Sequence, residues 1–355
     1  MRRKVSRRRV LQGLAATPLA MPLLSRRTSA AAPPPAKVTP ELIQAAKKEG
    51  QAVWYTAVDL PVAERIGRAF ETKYPGISVR VERSGGERIF QRICQEYASK
   101  IHAVDVVNSS DAAHFIVWKR DGILAPYVPE DVANHYPTEQ KDPDGFFASW
   151  RIWLSVVGYN TKLVKAEDAP RSFADLLDPK WAGKMVKAHP GYSGTIMTAT
   201  FQIARDIGWE FFEKLAQQRV MQVQSSADPP KRLAAGERAV MADGNEYNLV
   251  QLRERGEAVQ AVYPTEGTPL IIGPSGVMRN APNPNAARLL QSFMFSADCQ
   301  QLMVDFGGLR SFHALVREKP DRVPLASIKL MKDDPVAVEQ QAEEIKARYT
   351  KYFKV

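Results

Sequence analysis

Residues 52–81 read AVWYTAVDLPVAERIGRAFETKYPGISVRV and predict a strand, a helix and a second strand in succession. The stretch opens with the short apolar run Ala52–Tyr55, which is typical of a buried strand. A helix is predicted from Pro61, with apolar residues at helical spacing up to Pro75-Gly76, which ends it. Residues 77–81 alternate apolar and polar side chains and predict the next strand. Alternating strands and helices favour a parallel sheet covered by helices on both faces.

The alternation continues through two units of the chain. Residues 104–107 form another buried-type strand, and strands are predicted again at residues 185–188, 239–242 and 259–263. Two long extended runs, residues 152–159 and 270–278, separate the units. We therefore predict an α/β fold of two lobes joined by two crossovers. Lobe 1 is expected at residues 39–152 plus 274–320, and lobe 2 at residues 153–273 plus 321–355. Open α/β sheets bind ligands beyond the carboxyl ends of their strands, so the cleft between the lobes is the predicted site.

The first 32 residues have the three parts of an export signal: a basic start, an apolar stretch and small residues. The run Ser6–Gln12, SRRRVLQ, resembles the twin-arginine export motif. The segment holds eight basic residues and no acid, so most of the formal net charge of +10 belongs to it. A nucleic-acid binder is therefore not indicated. Residues 33–38 are expected to be a tether, and the mature protein is expected in the periplasm.

Enzyme patterns are incomplete. Cys94 and Cys299 form no CxxC pair, and each is expected to be a free thiol, although they could pair in an oxidising compartment. The five histidines form no HExxH motif. The run Gly191–Gly194 resembles part of a nucleophile elbow but lacks its last glycine, and Ser84–Gly86 lacks the Lys-Ser/Thr of a phosphate loop. We expect no enzyme and no cofactor, with a secreted α/β enzyme as the alternative from another class.

Recognition is better supported than catalysis. Ser193 precedes a predicted helix beginning near Thr195, so its hydroxyl and the free N–H groups of Gly194 and Thr195 would point at one spot. Such a helix start attracts anions. Ser84 and Gly85 precede a helix of the other lobe in the same way. The alternative is that the serine is only a helix cap.

A carboxylate–phenol group is the second recognition element. The segment Asp243–Tyr247, DGNEY, follows a predicted strand and includes Glu246 and Tyr247. Such oxygens can bind a hard trivalent metal or an ammonium group. Asp59, after the first strand, could supply a third oxygen. The alternative is a helix-entry turn in which the polar residues cap the helix and Tyr247 packs.

Several motifs resemble extracytoplasmic solute-binding proteins of ABC importers, family 1, in the group that contains the ferric-iron binding proteins. The resemblance covers the chain from about Val53 to Phe353. It implies the type II periplasmic-binding-protein fold, in which two lobes close over ligand by a hinge motion. The most specific matching stretches are VGYNT (157–161), FADLLDPKWAGK (173–184), PGYSGT (190–195) and NPNAA (283–287).

The resemblance implies a site with two alternatives. Ferric members carry two consecutive tyrosines where this chain has Glu246 and Tyr247, a histidine near the position of Asp59, and a glutamate near Ser110. The family's anion-binding serine and glycine match Ser193-Gly194. Ferric iron with a synergistic anion is therefore expected, with Tyr247, Glu246 and Asp59 as the metal ligands. The alternative is a small organic anion or zwitterion, such as 2-aminoethylphosphonate or a sugar phosphate, as in other members.

The resemblance also implies a partner and a mode of action. The expected partner is an ABC importer permease, so contact with the membrane is expected only through that permease. No nucleic-acid partner is expected, and the protein is expected to be a monomer. On this reading, Glu246→Ala and Tyr247→Phe would weaken ligand binding without unfolding the protein.

Overall fold

The computed structural model of the protein describes residues 31–355. The predicted export signal of residues 1–32, including the arginine pair, therefore lies almost wholly outside the described residues. Within residues 31–355, none of the helices is both long enough and apolar enough to cross a membrane. The predicted tether, residues 33–38, runs along the molecule, and Ala36 forms a backbone bridge with Pro129.

The part of the chain that the structure describes forms twelve strands. In chain order these are β1 Gln51–Thr56, β2 Ser78–Arg83, β3 Val106–Asn108, β4 Leu124–Ala125, β5 Ala148–Leu154, β6 Val157–Asn160, β7 Met185–Ala188, β8 Met221–Val223, β9 Val240–Met241, β10 Val259–Val262, β11 Thr268–Met278 and β12 Leu330–Met331.

Twelve α-helices connect and cover these strands within the same residues. They are α1 Pro40–Glu49, α2 Leu60–Lys73, α3 Gly86–Ala98, α4 Ala113–Arg120, α5 Glu130–His135, α6 Gly194–Asp206, α7 Trp209–Gln217, α8 Asp228–Ala234, α9 Glu246–Glu254, α10 Pro284–Phe295, α11 Ala297–Asp305 and α12 Pro335–Phe353. Five short 3-10 turns lie at Thr138–Gln140, Ala174–Leu177, Pro179–Trp181, Pro190–Tyr192 and Leu325–Ser327.

The strands form two sheets. The larger has seven strands in the order β12-β11-β3-β1-β2, with β4 and β5 also paired to β11, and the smaller has five in the order β10-β6-β9-β7-β8. In the larger sheet β1 runs parallel to β2 and β3, whereas β11 runs antiparallel to β3. In the smaller sheet β7 runs parallel to β8 and β9, whereas β6 runs antiparallel to both β9 and β10. Both sheets are therefore mixed and not parallel as predicted, because β11 runs against β3 in the larger sheet and β6 runs against its neighbours in the smaller.

The crossovers pair with each other. Strand β5 runs antiparallel to β11 from Leu154 opposite Leu270 to Ala148 opposite Ser275. The run predicted as one strand at residues 152–159 is two strands in different sheets. It breaks at Ser155 and Val156, whose N–H groups donate instead to the carbonyls of Pro269 and Gly244. The crossover therefore changes sheet at this point.

The sheets divide the chain close to the predicted lobe limits. Strand β11 lies whole in the seven-stranded sheet, which includes residues 268–273 that were expected in lobe 2. Strand β12, expected in lobe 2 as well, also pairs with β11. Below, lobe 1 means the seven-stranded sheet with its helices, and lobe 2 means the five-stranded sheet with its helices; the exact lobe boundaries stay a proposal.

Separate apolar cores stabilise the two sheets. The aromatic centre of the first contains Trp54 and Trp150, whose rings meet edge to face at 5.6 Å. The core of the second contains Phe212 and Tyr349, and the C-terminal helix α12 packs on α6 and α7 of lobe 2 as well as on α4 of lobe 1. Burying a large side chain of this kind contributes roughly 1.5–3 kcal/mol. Each sheet is thus held by its own core, and the polar ends of its strands are left to face the other lobe.

Candidate functional site

A small cavity of about 150 Å³ lies between the two sheets, and we call it the inner cavity. Lobe 1 lines it with residues that follow parallel strands. Asp59 comes after β1, Arg83 ends β2, Gly85 leads into α3, and Ser110 follows β3. These positions are the carboxyl ends of neighbouring parallel strands, where α/β sheets bind ligands.

Lobe 2 lines the inner cavity in the same way. Ser193 and Thr195 lie at the start of α6, after β7, and Ser225 and Ser226 follow β8. Tyr247 lies in the first turn of α9, after β9. Hydroxyl groups from three loops of this lobe therefore line one wall.

The crossover strand β5 supplies the back wall, with Arg151 and Trp153. The Arg151 side chain is 1% exposed, and none of its three guanidinium nitrogens forms a hydrogen bond of good geometry among the described residues, although the Tyr247 hydroxyl lies close enough to interact with it. Its guanidinium lies over the Trp153 ring, 4.2 Å from the centroid. Burial lowers the pKa of Arg151, an effect that the phenol of Tyr247 and the carboxylate of Asp59 partly offset. An unpaired buried cation is costly, so an anionic ligand is the natural complement of this wall.

Three other charged groups of the cavity, Asp59, Arg83 and Arg88, already have partners, whereas Asp228 also lines the cavity. Asp59 accepts a hydrogen bond from the Asn248 amide at 2.7 Å and lies 3.8 Å from the Arg83 guanidinium. Arg88, on α3, donates to Gln224 of lobe 2 at 3.2 Å. Asp59–Asn248 and Arg88–Gln224 both join lobe 1 to lobe 2, so the structure has the two lobes in contact around the cavity.

Tyr247 is a neutral phenol in this environment. Its hydroxyl accepts a hydrogen bond from the Asn245 amide at 3.1 Å. Burial raises the pKa of Tyr247 well above its usual value, and the nearby carboxylate of Asp59 raises it further. Ionising this phenol therefore requires a strong positive charge next to it, such as a metal ion.

The start of α6 has both features that the sequence suggested. Ser193 caps the helix, since its hydroxyl accepts from the N–H of Ile196 at 3.4 Å, and it also lines the cavity. Gly194 does not line the cavity but is packed against lobe 1. A Cβ at Gly194 would lie 2.7 Å from Cβ of Asp111 and 2.9 Å from Oγ of Ser110. The glycine therefore allows the close approach of the two lobes.

Ser84 is a correction to the predicted set. Its neighbours Arg83 and Gly85 line the cavity, but Ser84 does not. Its N–H donates to the Thr56 carbonyl at 3.1 Å and so extends the pairing of β1 and β2. In extended backbone successive side chains point to opposite sides, so Arg83 rather than Ser84 is on the cavity side.

Glu246 is the larger correction. It is fully buried, does not line the inner cavity, and forms ion pairs with Arg310 at 2.8 Å and Arg322 at 2.7 Å. The Tyr263 hydroxyl also donates to it at 2.6 Å. Burial favours the neutral acid, but the two guanidinium groups prevail and hold the pKa of Glu246 below its usual value. Both oxygens are occupied, so Glu246 is not positioned to bind a ligand in the cavity.

Within the predicted segment Asp243–Tyr247, Asp243 also has a structural partner. Asp243 forms a buried ion pair with Lys187 at 2.7 Å. Asn245 and Tyr247 reach the cavity, as do Asp59, Gly85, Ser110, Ser193 and Thr195. The structure therefore brings most of the predicted binding residues together and separates Ser84, Gly194 and Glu246 from them.

Sequence reasoning missed the basic residues of the site, Arg83, Arg88 and Arg151. For Arg151 a signal was present: a charged residue stands inside the otherwise apolar run ASWRIWL of residues 148–154. Charged residues are rarely buried without a partner or a function. The loop with Ser225 and Ser226 was missed because β8 is only three residues long.

A second buried cluster lies beside the inner cavity. Glu87 accepts from the His114 ring at 2.9 Å, and Asp111 lies 4.0 Å from the same nitrogen. His114 also contacts the Ser109 hydroxyl, and Lys346 of α12 lies 3.6 Å from Glu87. The cluster thus joins lobe 1 to the C-terminal helix.

A two-lobed α/β fold with a polar cavity between its sheets defines a ligand-binding protein of the type II periplasmic class. Residues 104–327 match the family model of the bacterial extracellular solute-binding proteins. The match covers more than half of the chain, and the protein belongs to this family. This confirms the predicted class, which is a substrate-binding protein and not an enzyme family.

Relatives in sequence include proteins with different cargo. The chain is 25% identical over 250 residues to iron uptake protein A1 of Synechocystis, covering 65% of this chain and 68% of the relative. It is 28% identical over 243 residues to a putative 2-aminoethylphosphonate-binding periplasmic protein of Salmonella typhimurium, covering 64% of this chain and 68% of the relative. The second relative is named as a periplasmic protein, and with the extracellular solute-binding family this supports an extracytoplasmic location.

Solved structures confirm the fold. The periplasmic binding protein AfuA from Actinobacillus pleuropneumoniae, solved with fructose-6-phosphate, superposes with a TM-score of 0.79 at 22% identity, covering 86% of this chain and 99% of AfuA. Iron-bound HitA from Pseudomonas aeruginosa gives a TM-score of 0.73 at 22% identity, covering 85% of this chain and 99% of HitA.

Proposed function

We propose that this protein captures a small organic anion, with a phosphonate, phosphate or carboxylate group, and delivers it to an ABC importer. The observation that carries the proposal is Arg151. Its guanidinium is buried in the wall of the inner cavity, no carboxylate among the described residues forms an ion pair with it, and the neutral phenol of Tyr247 lies close to it. An oxyanion would supply charge-assisted hydrogen bonds at the point where the protein supplies none.

Hydroxyl groups complete the proposed anion site. Ser110 of lobe 1 and Ser193, Thr195 and Ser226 of lobe 2 line the same small cavity. The start of α6 adds the positive end of a helix dipole. A phosphonate or phosphate has three terminal oxygens, so it can contact Arg151 and both lobes at once. Contacts that exist only between closed lobes would drive closure on binding.

The direct test is to identify the bound ligand and then measure its binding. Native mass spectrometry of the purified protein is expected to show a copurifying anionic organic molecule. After unfolding and refolding to remove it, isothermal titration calorimetry with a series of phosphonates, phosphates and carboxylates is expected to find a binder. Failure of all three anion classes to bind, with a cation or neutral molecule copurifying, would refute the proposal.

Ferric iron with a synergistic anion is the second candidate. Tyr247 and Asp59 both face the inner cavity, and one sequence relative is an iron uptake protein. Arg151 could then hold the synergistic anion. The candidate ranks second because Glu246 is already paired and because three arginines line the cavity, which disfavours a trivalent cation. Titration with Fe(III) and carbonate would produce a tyrosinate-to-iron charge-transfer band if iron binds; its absence removes this candidate.

We further propose that the protein reaches the periplasm by the twin-arginine route and acts there as a monomer with a permease partner. The support for the route is the pair Arg7-Arg8 in the motif of residues 6–12. Replacing both arginines by lysine is expected to leave the precursor in the cytoplasm, as followed by cell fractionation. Export of the variant at the original rate would contradict the proposed route.

A further inference from the structure

A second and larger chamber adjoins the inner cavity. It has a volume of about 540 Å³, and we call it the outer chamber. Its shared wall with the inner cavity consists of five residues, Asp59, Arg83, Ser225, Ala227 and Asp228. The outer chamber therefore continues the binding cleft.

The outer chamber differs from the inner cavity in chemistry. Its walls include the apolar side chains of Leu60, Val62, Leu252 and Phe306. Leu60 and Phe306 are 45% and 46% exposed, which is high for large apolar residues. They belong to the first turn of α2 and the end of α11, both elements of lobe 1. Apolar surface of this kind at a binding cleft is typical of a place where a ligand covers it.

The inner cavity and the outer chamber differ in volume, and the difference indicates that they bind different parts of a ligand. Pockets for small organic molecules generally span about 300–1,000 Å³. The inner cavity is below this range and suits a single oxyanion group, whereas the outer chamber is within it. A ligand consisting only of an oxyanion would leave the apolar chamber unused.

The charges of the outer chamber disfavour a positively charged ligand body. Asp59 is already engaged by Asn248 and Arg83. Lys231 and Arg255 also line the chamber, and neither forms an ion pair with another described residue. With Arg83 the chamber has three basic side chains against two acidic ones, Asp59 and Asp228, so its net charge disfavours an ammonium group.

We propose that the cargo is an organic anion with two parts: an oxyanion head in the inner cavity, and an uncharged, largely apolar body in the outer chamber over Leu60 and Phe306. This inference rests on the proposed anion-binding function and names its substrate class. The proposal excludes inorganic phosphate and two-carbon zwitterions as the cargo, because neither has an apolar body that would fill the outer chamber.

A homologous series of ligands tests the proposal. Calorimetry of the ligand-stripped protein with methyl-, butyl- and hexylphosphonate is expected to show affinity rising with chain length. Each buried methylene contributes about 0.8 kcal/mol, which is about fourfold in affinity. Butylphosphonate is therefore expected to bind at least tenfold more tightly than methylphosphonate, and 2-aminoethylphosphonate no more tightly than methylphosphonate.

Substitutions of residues that line the outer chamber provide a second test of the proposal. Phe306→Ser and Leu60→Ser are expected to remove most of the gain for butylphosphonate and to leave methylphosphonate affinity unchanged. Leu315→Ser is the matched control, because Leu315 is also exposed but does not line the chamber. Equal affinities across the series, or no effect of Phe306→Ser, would overturn the two-part cargo while leaving the anion site intact. If no phosphonate binds but carboxylates of increasing length show the same trend, the head group of the cargo is a carboxylate and the two-part cargo is still supported. If no anion binds at all, the proposed function itself is refuted.

Discussion

Individual side chains of this protein divide into those that bind and those that hold the site together, and chemistry alone does not separate them. Arg151 and Arg310 are both buried arginines, 1% exposed each. Arg310 has Glu246 and Glu318 as partners, whereas Arg151 has no ion pair with a carboxylate among the described residues. Pairing therefore indicates a structural role for Arg310, and the lack of an ion pair supports the proposed binding role of Arg151.

Arg151→Met tests the binding role. The variant is expected to lose at least about a hundredfold in anion affinity, since hydrogen bonds to a charged group contribute about 1.5–3 kcal/mol each. Its thermal midpoint without ligand is expected to stay the same or rise, because an unpaired buried charge is removed and the methylenes are kept. Arg205→Met, at an exposed arginine paired with Asp206, is the control for the loss of one charge. A fall in stability with unchanged affinity would make Arg151 structural.

Glu246→Gln tests the structural role of Glu246. The change leaves Arg310 and Arg322 with an uncompensated buried charge, so the free energy of unfolding is expected to fall by about 3–5 kcal/mol. This replaces the earlier expectation of weaker binding without unfolding. Glu318→Gln, at a half-exposed partner of Arg310, is expected to cost less than about 1 kcal/mol. Urea denaturation followed by circular dichroism would measure both, and equal effects would contradict the assignment.

Among the elements, the starts of α3, α4 and α6 meet beside the inner cavity. Asp111 precedes α4, Glu87 lies in the first turn of α3, and Gly194 begins α6. The two carboxylates and His114 are buried and packed together there. Lys346 approaches from α12, and the half-buried Asp333 from the segment before it. This junction is expected to be sensitive to pH.

The buried carboxyl of Asp111 is expected to make the protein less stable as the pH rises. The surroundings together raise the pKa of Asp111 to about 6: burial is the largest cause, His114 opposes it, and Glu87 adds to the rise. Below about pH 4, the usual pKa of an unfolded Asp, the carboxyl is neutral in both states; as the pH rises through about 6 the buried group ionises and the protein loses stability. Asp111→Asn is therefore expected to stabilise the protein by about 3 kcal/mol at pH 8 and by much less at pH 4. Urea titrations at both pH values would measure this, and an equal effect at both would contradict it.

For the molecule as a whole, the close contact of the lobes is the property on which binding depends. Gly194 of lobe 2 packs against Ser110 and Asp111 of lobe 1, and a Cβ at Gly85 of lobe 1 would lie 3.4 Å from the Tyr192 carbonyl oxygen of lobe 2. Cross-lobe hydrogen bonds join Asp59 to Asn248 and Arg88 to Gln224. The binding residues come from both lobes, so any barrier to this contact separates the two halves of the site.

Gly194→Ala is expected to prevent full closure. The added methyl would collide with Asp111 across the cleft, but it suits the helix in which it lies. We expect affinity to fall at least tenfold, with the radius of gyration from small-angle X-ray scattering no longer decreasing on ligand addition. Gly67→Ala is the control, since its new methyl would meet neighbours at ordinary distances of 3.6 Å or more. If the Gly194→Ala variant closes normally on ligand addition, the lobes of the closed protein do not meet at Gly194.

The sequence was sufficient for the class of fold and for most strand ends that face the cleft. Hydrophobic periodicity is local, and it placed β7 at Met185–Ala188 and the capped start of α6 after Ser193. The motifs of residues 157–195 were also enough to predict the family.

The assignment of charged groups required the tertiary structure. Glu246 and Tyr247 are adjacent in the chain, yet one is paired with Arg310 and Arg322 and the other faces the inner cavity. Arg151 is far from both in sequence and meets the cavity only because β5 pairs with β11. Periodicity reports which face of a segment is apolar, whereas the partner of a buried charge depends on residues that only the packing of distant segments brings together.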